Sequence, residues 1–130
     1  MEKELVLCDT NVLINFFNGH EETAAILAKL GNKRILVSSV TVMELYQGMG
    51  NKTELNQMKK KIKNYSILHF NTEVSRLAIE YIHKFRLSHN LQIPDAIIAA
   101  SAVTFQLPLF TYNLKDFSYI PKIILHKAIR

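Results

Sequence analysis

The sequence predicts an α/β sandwich built around a mainly parallel sheet of four to five strands. Three observations lead there. Short apolar runs alternate with longer segments of helical periodicity along the whole chain. The first run, Glu4 to Asp9, is almost continuously apolar, the pattern of a strand covered on both faces. The chain has 130 residues, 48% hydrophobic and 21% charged, with four Gly and three Pro, a globular composition that suits one domain over residues 1–130.

After the first strand, Thr10 and Asn11 can cap a helix in which Val12, Leu13, Phe16 and Phe17 recur near helical spacing, ended by Asn18-Gly19. A second helix runs from about Glu21 to Leu30 and stops at Gly31-Asn32. Arg34 to Ser38 reads as the second strand. Ser38 or Ser39 then caps a helix through Glu44 to Gly48. On the next helix Leu55, Met58 and Ile62 lie on one face and Lys59, Lys60, Lys61 and Lys63 on the other. Ser66 to Phe70 is the third strand, and Asn71 or Thr72 caps the longest helix, whose apolar stripe is Val74, Leu77, Ala78, Tyr81 and Phe85. Pro94 suits a helix first turn, which places Asp95 in that turn, ahead of the all-round apolar IIAASAV. Pro108 is expected to end this helix. Leu109 to Thr111 form the fourth strand, and Lys122 to Leu125 are expected to add a fifth at an edge.

Several classes of function are set aside by composition. Cys8 is the single cysteine, so neither an internal disulfide framework nor a cysteine zinc cluster can form. No stretch approaches the roughly 20 apolar residues of a membrane span, and MEKELVLCD is too short an apolar run for a signal peptide. The expectation is a cytoplasmic protein with no membrane association. Sixteen Lys plus Arg against eleven Asp plus Glu give a formal charge of +5, which favours a polyanionic partner such as RNA or an acidic protein.

Three acids stand in apolar surroundings: Asp9 after VLC, Glu44 in VTVMEL and Asp95 in IPDAIIAA. Asp116, in NLKDF, is intermediate. Each alone has a structural explanation: a helix cap, a partly exposed helix residue, a first-turn anion on its helix dipole. Together they point elsewhere. In a parallel α/β sheet functional groups gather at the carboxyl ends of the strands, where Asp9 and the TYNLKD segment both fall. Carboxylates brought within a few ångströms raise one another's pKa unless a cation sits between them. A hard divalent ion, Mg²⁺ or Mn²⁺, takes such oxygen ligands and can polarise water for attack on a phosphodiester. Zinc fits less well, because His20, His69, His83, His89 and His126 are dispersed.

The motifs DTNVLI at 9–14, ELYQG at 44–48, PDAIIAA at 94–100 and LFTYNLKDF at 109–117 resemble, in order and rough spacing, the PIN-domain family, in particular VapC-type toxin ribonucleases. The resemblance implies a three-layer α/β/α sandwich and a magnesium- or manganese-dependent endoribonuclease. It also implies an RNA substrate, a cognate antitoxin and a homodimer. Asp9, Glu44 and Asp95 match the family's first three acids. Many relatives carry an acid two residues after the threonine of the last motif, but here Thr111 is followed by Tyr112 and Asn113; Asp116, three residues further on, is available as in a subset of the family. The expectation that follows is a catalytic and metal-binding set of Asp9, Glu44, Asp95 and Asp116. One ion is held by Asp9 and Asp95, and a second is recruited with RNA. Thr10, Asn11, Thr111 and Asn113 would orient ligands or waters; capping and strand-end hydrogen bonding is their alternative role.

Other features have two readings each. The MKKKIK run could contact phosphates or form the solvated face of its helix, and Tyr46 and Tyr112 could stack on a base or pack at a rim. Two alternative functions remain beside the nuclease: a PIN-like binding module without turnover, suggested by Asn113, and a receiver-like phosphoacceptor, which the HFN ending of the third strand fits poorly.

Overall fold

A computed structural model describes residues 4–127. Strand β1 (Val6–Cys8) leads into helix α1 (Thr10–Phe17) and α2 (Glu21–Leu30). Strand β2 (Ile35–Ser38) is followed by α3 (Ser39–Gln47) and α4 (Lys52–Ile62), then β3 (Ser66–Leu68), α5 (Thr72–His89), α6 (Ile93–Thr104) and β4 (Leu109–Phe110). Every strand pairing is parallel and the spatial order is β3-β2-β1-β4.

Side-chain alternation along β1 divides the core into two layers. Leu7 faces one side, packing with Val74, Ala78 and Tyr81 of α5 and Ala96, Ala99 and Ala100 of α6. Val6 and Cys8 face the other, with Val12 and Leu13 of α1, Leu27 of α2, Leu45 of α3 and Met58 and Ile62 of α4. This is the α/β/α sandwich expected. Cys8 is fully buried, and burial, with the neighbouring Asp9 charge, pushes its thiol up to about 12, so it behaves as a small hydrophobe.

Helix starts follow the capping residues. Ser38, Asn51 and Asn71 each accept a backbone N–H of the following first turn. Two expectations about the end of the chain need correction. Helix α6 ends at Thr104, well before Pro108: Gln106 adopts a left-handed backbone (φ 54°), and the N–H groups of Gln106 and Leu107 bond back to the carbonyls of Val103 and Ala102. That is a Schellman cap closed by a glutamine in place of glycine. The fifth strand at 122–125 reduces to a single parallel bridge between Leu109 and Leu125, held by Leu109 N–H to the Ile124 carbonyl and His126 N–H to the Leu109 carbonyl. Pro121 and the left-handed Lys122 (φ 66°) leave no extended run to pair.

The order β3-β2-β1-β4 has one functional consequence. The chain moves outward from β1 to β2 to β3 and then returns to the opposite side of β1, so the carboxyl ends of β1 and β4 flank the point where the winding reverses. Crevices in open α/β sheets form at that point.

Candidate active site

Asp9 follows the last residue of β1 and caps α1. Its backbone N–H bonds to the Phe110 carbonyl of β4 (2.9 Å), which fixes the residue at the reversal point. Its side chain is 4% exposed and accepts two hydrogen bonds, from Thr10 N–H to Oδ1 and from the Thr111 hydroxyl to Oδ2, both 2.8 Å. Thr111 is itself buried and receives the Asn113 N–H at 3.0 Å, so the turn after β4 holds the hydroxyl in place. Burial pushes the Asp9 carboxyl above the usual range, the two hydrogen bonds oppose that rise, and the Glu44 and Asp116 charges reinforce it.

Glu44 arrives from α3. Thr10 Oγ1 lies 2.8 Å from Glu44 Oε1 and 2.9 Å from Thr41 Oγ1. A carboxylate only accepts, so the Thr10 hydroxyl donates to Glu44, and it lies within donating reach of Thr41 as well. Thr41 is fully buried and sits one turn before Glu44 on the same helix face. The result is a chain, Thr41 to Thr10 to Glu44, that ties the second acid to the residue beside the first.

Asp95 occupies the first turn of α6, as Pro94 predicts, and Asp116 ends a short 3₁₀ turn, Leu114–Asp116, beyond β4. Partial burial raises the Asp95 carboxyl from 3.8 to about 7, assisted by the charges of Asp9, Asp116 and Glu44. The four predicted acids therefore act on one another electrostatically, and no cation is among the groups acting on Asp9 or Asp95. Among the described residues no three acid, histidine or cysteine side chains are already closed into a metal-ligand group. Their influence on one another is through space.

The donors offered there are all oxygen: four carboxylates with Thr10, Thr111 and the amides of Asn11 and Asn113 nearby. That set suits Mg²⁺ or Mn²⁺, ions that take one or two carboxylates and keep several waters, better than a soft or nitrogen-seeking metal. Asn11 accepts a long bond (3.5 Å) from Tyr112 N–H, and Asn113 is engaged through its backbone. Tyr112 packs edge-on against Phe110 and its hydroxyl lies 2.6 Å from buried Thr23, which is a packing role. Tyr46 packs against the α1–α4 core layer. Of the α4 lysines, Lys61 lies over the Phe17 ring and Lys59, Lys60 and Lys61 form an exposed face.

Sequence reasoning missed Thr41, although its place three residues before Glu44 in a helix is a readable signal. It also missed a polar pocket of about 180 Å³ opening beside Asp95 and Asp116, lined by His89, Asn90, Gln92 and Tyr119. No local motif announces that pocket.

A family model described as the PIN domain matches residues 6–123. Ribonuclease VapC2 of Rickettsia felis is 30% identical over 133 residues, covering 93% of this chain and 96% of the relative. Among solved structures, a toxin–antitoxin complex from Klebsiella pneumoniae superposes with TM-score 0.74 at 28% identity, covering 92% of this chain and 95% of its own. VapBC2 from Rickettsia felis, bound to a DNA fragment from its promoter, superposes with TM-score 0.76 at 25% identity over 94% and 97% of the two chains.

Proposed function

The chain belongs to the PIN-domain family, and from that premise we propose that it is a divalent-metal-dependent endoribonuclease, the toxin of a type II toxin–antitoxin pair. What supports the reading is that four acids from separate parts of the chain act on one another electrostatically, with Asp9 fixed at the carboxyl end of β1 beside β4 and with Asp9 and Asp95 both raised in pKa. Carboxylates held this way stabilise the site only when a cation compensates them.

In this reading Asp9 and Asp95 would hold Mg²⁺ or Mn²⁺, with the charges of Glu44 and Asp116 nearby. Bound there, the ion would polarise a water and offset negative charge on a phosphodiester under attack. The chain's own groups do the rest. Thr111 and the Thr10 N–H fix both Asp9 oxygens, and the Thr41–Thr10 pair fixes Glu44, so the acids are oriented before substrate arrives. Glu44 would accept a proton from the attacking water, and Asp116, outside the pair that would hold the ion, would relay one to the leaving oxygen. The net charge of +5 favours approach of RNA.

The partners follow the same reading. Relatives solved as toxin–antitoxin complexes support a cognate antitoxin for this chain. Ile79 and Ile93, each 67% exposed beside an apolar groove between α5 and α6, support a homodimer. Among the described residues no helix is long and apolar enough to cross a membrane, which is compatible with action in the cytoplasm. The family match over 6–123 supports treating the chain as one nuclease domain.

The test is direct: incubate RNA with the purified protein and Mg²⁺ or Mn²⁺, and compare Asp9→Asn. Metal-dependent internal cleavage that this substitution abolishes supports the proposal. RNA binding without cleavage by the unsubstituted chain would replace it with a binding module.

A further inference from the structure

The polar pocket beside Asp95 and Asp116 has a wall that the hydrolytic reading leaves unused. His89, the last residue of α5, stacks on Tyr119 with ring centroids 3.8 Å apart and planes 15° from parallel. Phe85 braces both rings edge-on, at 5.7 Å from His89 and 4.9 Å from Tyr119. Between this wall and the acids lie Asn90 and Gln92. Asn90 holds a left-handed backbone (φ 55°), and its Oδ1 accepts from Arg86 at 2.6 Å and from Gln92 Nε2 at 3.4 Å. Gln92 Nε2 also donates to the Asn90 carbonyl. With those bonds made, the Asn90 amide nitrogen and the Gln92 amide oxygen remain as one donor and one acceptor on residues that line the same pocket.

We propose that this pocket is a nucleobase subsite, which seats the base of the nucleotide adjoining the cleaved bond and thereby sets base preference. The inference rests on the endoribonuclease reading and names which part of RNA the chain distinguishes. Two features point to a base as the occupant. An aromatic wall offers stacking to an unpaired base, the usual way single-stranded RNA is held. The cavity of about 180 Å³ has room for a planar heterocycle. A phosphate linked to the seated base then falls toward the carboxylate crevice, because Asp95 and Asp116 belong to both.

The experiment has two arms on the full chain. In the first, a random-sequence RNA pool is cleaved with Mg²⁺ or Mn²⁺ and the cut sites are sequenced for the unsubstituted chain, His89→Ala and Gln92→Leu; both positions are exposed, so folding is preserved. The expected result is cleavage that falls about five- to a hundred-fold in His89→Ala, the range loss of one base–aromatic stack produces, and a base preference beside the cut that relaxes in Gln92→Leu, which loses the hydrogen-bonding amide. Mn²⁺ affinity should be unchanged in the same variants. In the second arm, Asp9→Asn protein is photocrosslinked to short oligoribonucleotides carrying 4-thiouridine, and the attached peptide is mapped. Attachment to the segment 85–92 or to Tyr119 supports the subsite whether or not cleavage is seen. Undiminished cleavage by His89→Ala together with an unaltered preference in Gln92→Leu, absence of any preference, or crosslinks confined to other segments overturns the subsite while leaving the nuclease reading in place. Absence of both cleavage and crosslinks overturns both.

Discussion

Replacing Thr111 by valine removes one hydroxyl from a buried site while keeping its shape, and the consequence can be worked out from the Asp9 carboxylate it serves. Asp9 is 4% exposed and has two hydrogen bonds within the protein, each 2.8 Å. Hydrogen bonds to a charged group contribute about 1.5–3 kcal/mol. The bond from Thr111 favours the ionised carboxylate, which is the form that binds a metal ion. Its loss should therefore weaken Mn²⁺ binding about 10- to 100-fold, at about 1.4 kcal/mol per factor of ten, matching the usual effect of removing a group behind a metal ligand. Metal-free stability should change less, because Asp9 can take up a proton when the hydroxyl is gone. Calorimetric titration with Mn²⁺ at pH 8 measures the affinity, and Thr111→Ser, which restores the donor, should recover most of it. Binding by Thr111→Val within about two-fold of the unsubstituted protein would refute the reasoning.

Four further outcomes follow from the same structure. Asp95, raised from 3.8 to about 7, binds its proton more tightly folded than unfolded, so its contribution to metal-free stability is present at low pH and is lost as pH rises through that window. The full rise corresponds to about 4 kcal/mol, reduced by solvent screening of a partly exposed carboxyl to about 1–2 kcal/mol; denaturant titrations from pH 4 to 8 should show this decline, and Asp95→Asn should flatten it. Mg²⁺ should stabilise the protein more at pH 8 than at pH 5, where protons compete for the same oxygens, as thermal melts would register. Thr41→Val should slow RNA cleavage about ten-fold by releasing Glu44, with Thr41→Ser close to normal, whereas Leu7→Ala, in a strand covered on both faces, should lower stability by about 2–5 kcal/mol in a denaturant melt.

How much of this could be read from the chain divides along a physical line. The elements were legible because their signals are local: the apolar run of Val6–Cys8, the caps Ser38, Asn51 and Asn71, and Pro94 in a helix first turn. The acids were legible because a charge among apolar neighbours needs a reason, and Asp9 turned out to serve two, capping α1 and facing the crevice. The end of α6 was misplaced because its cap uses Gln106, a residue with no special tolerance for a left-handed backbone, so only the backbone shows it. The edge strand failed for a related reason, since Lys122 takes positive φ against its propensity. Thr41 and the His89–Tyr119 wall were invisible because each depends on segments far apart in sequence meeting in space: Thr41 with Thr10, and the end of α5 with the turn before Pro121. Asp116 stood between these cases, readable as an acid near the last motif, while its influence on Asp9 and Asp95 emerges only in the folded chain.

The account depends most on the carboxylates of Asp9 and Asp95 taking the same ion, and anomalous diffraction from crystals grown with Mn²⁺ tests that most directly. The expected result is one strong anomalous peak about 2.1 Å from an oxygen of each, with Glu44 and Asp116 reaching it directly or through water. A peak that contacts neither Asp9 nor Asp95, or no peak in the crevice at Mn²⁺ concentrations that support RNA cleavage, would contradict it.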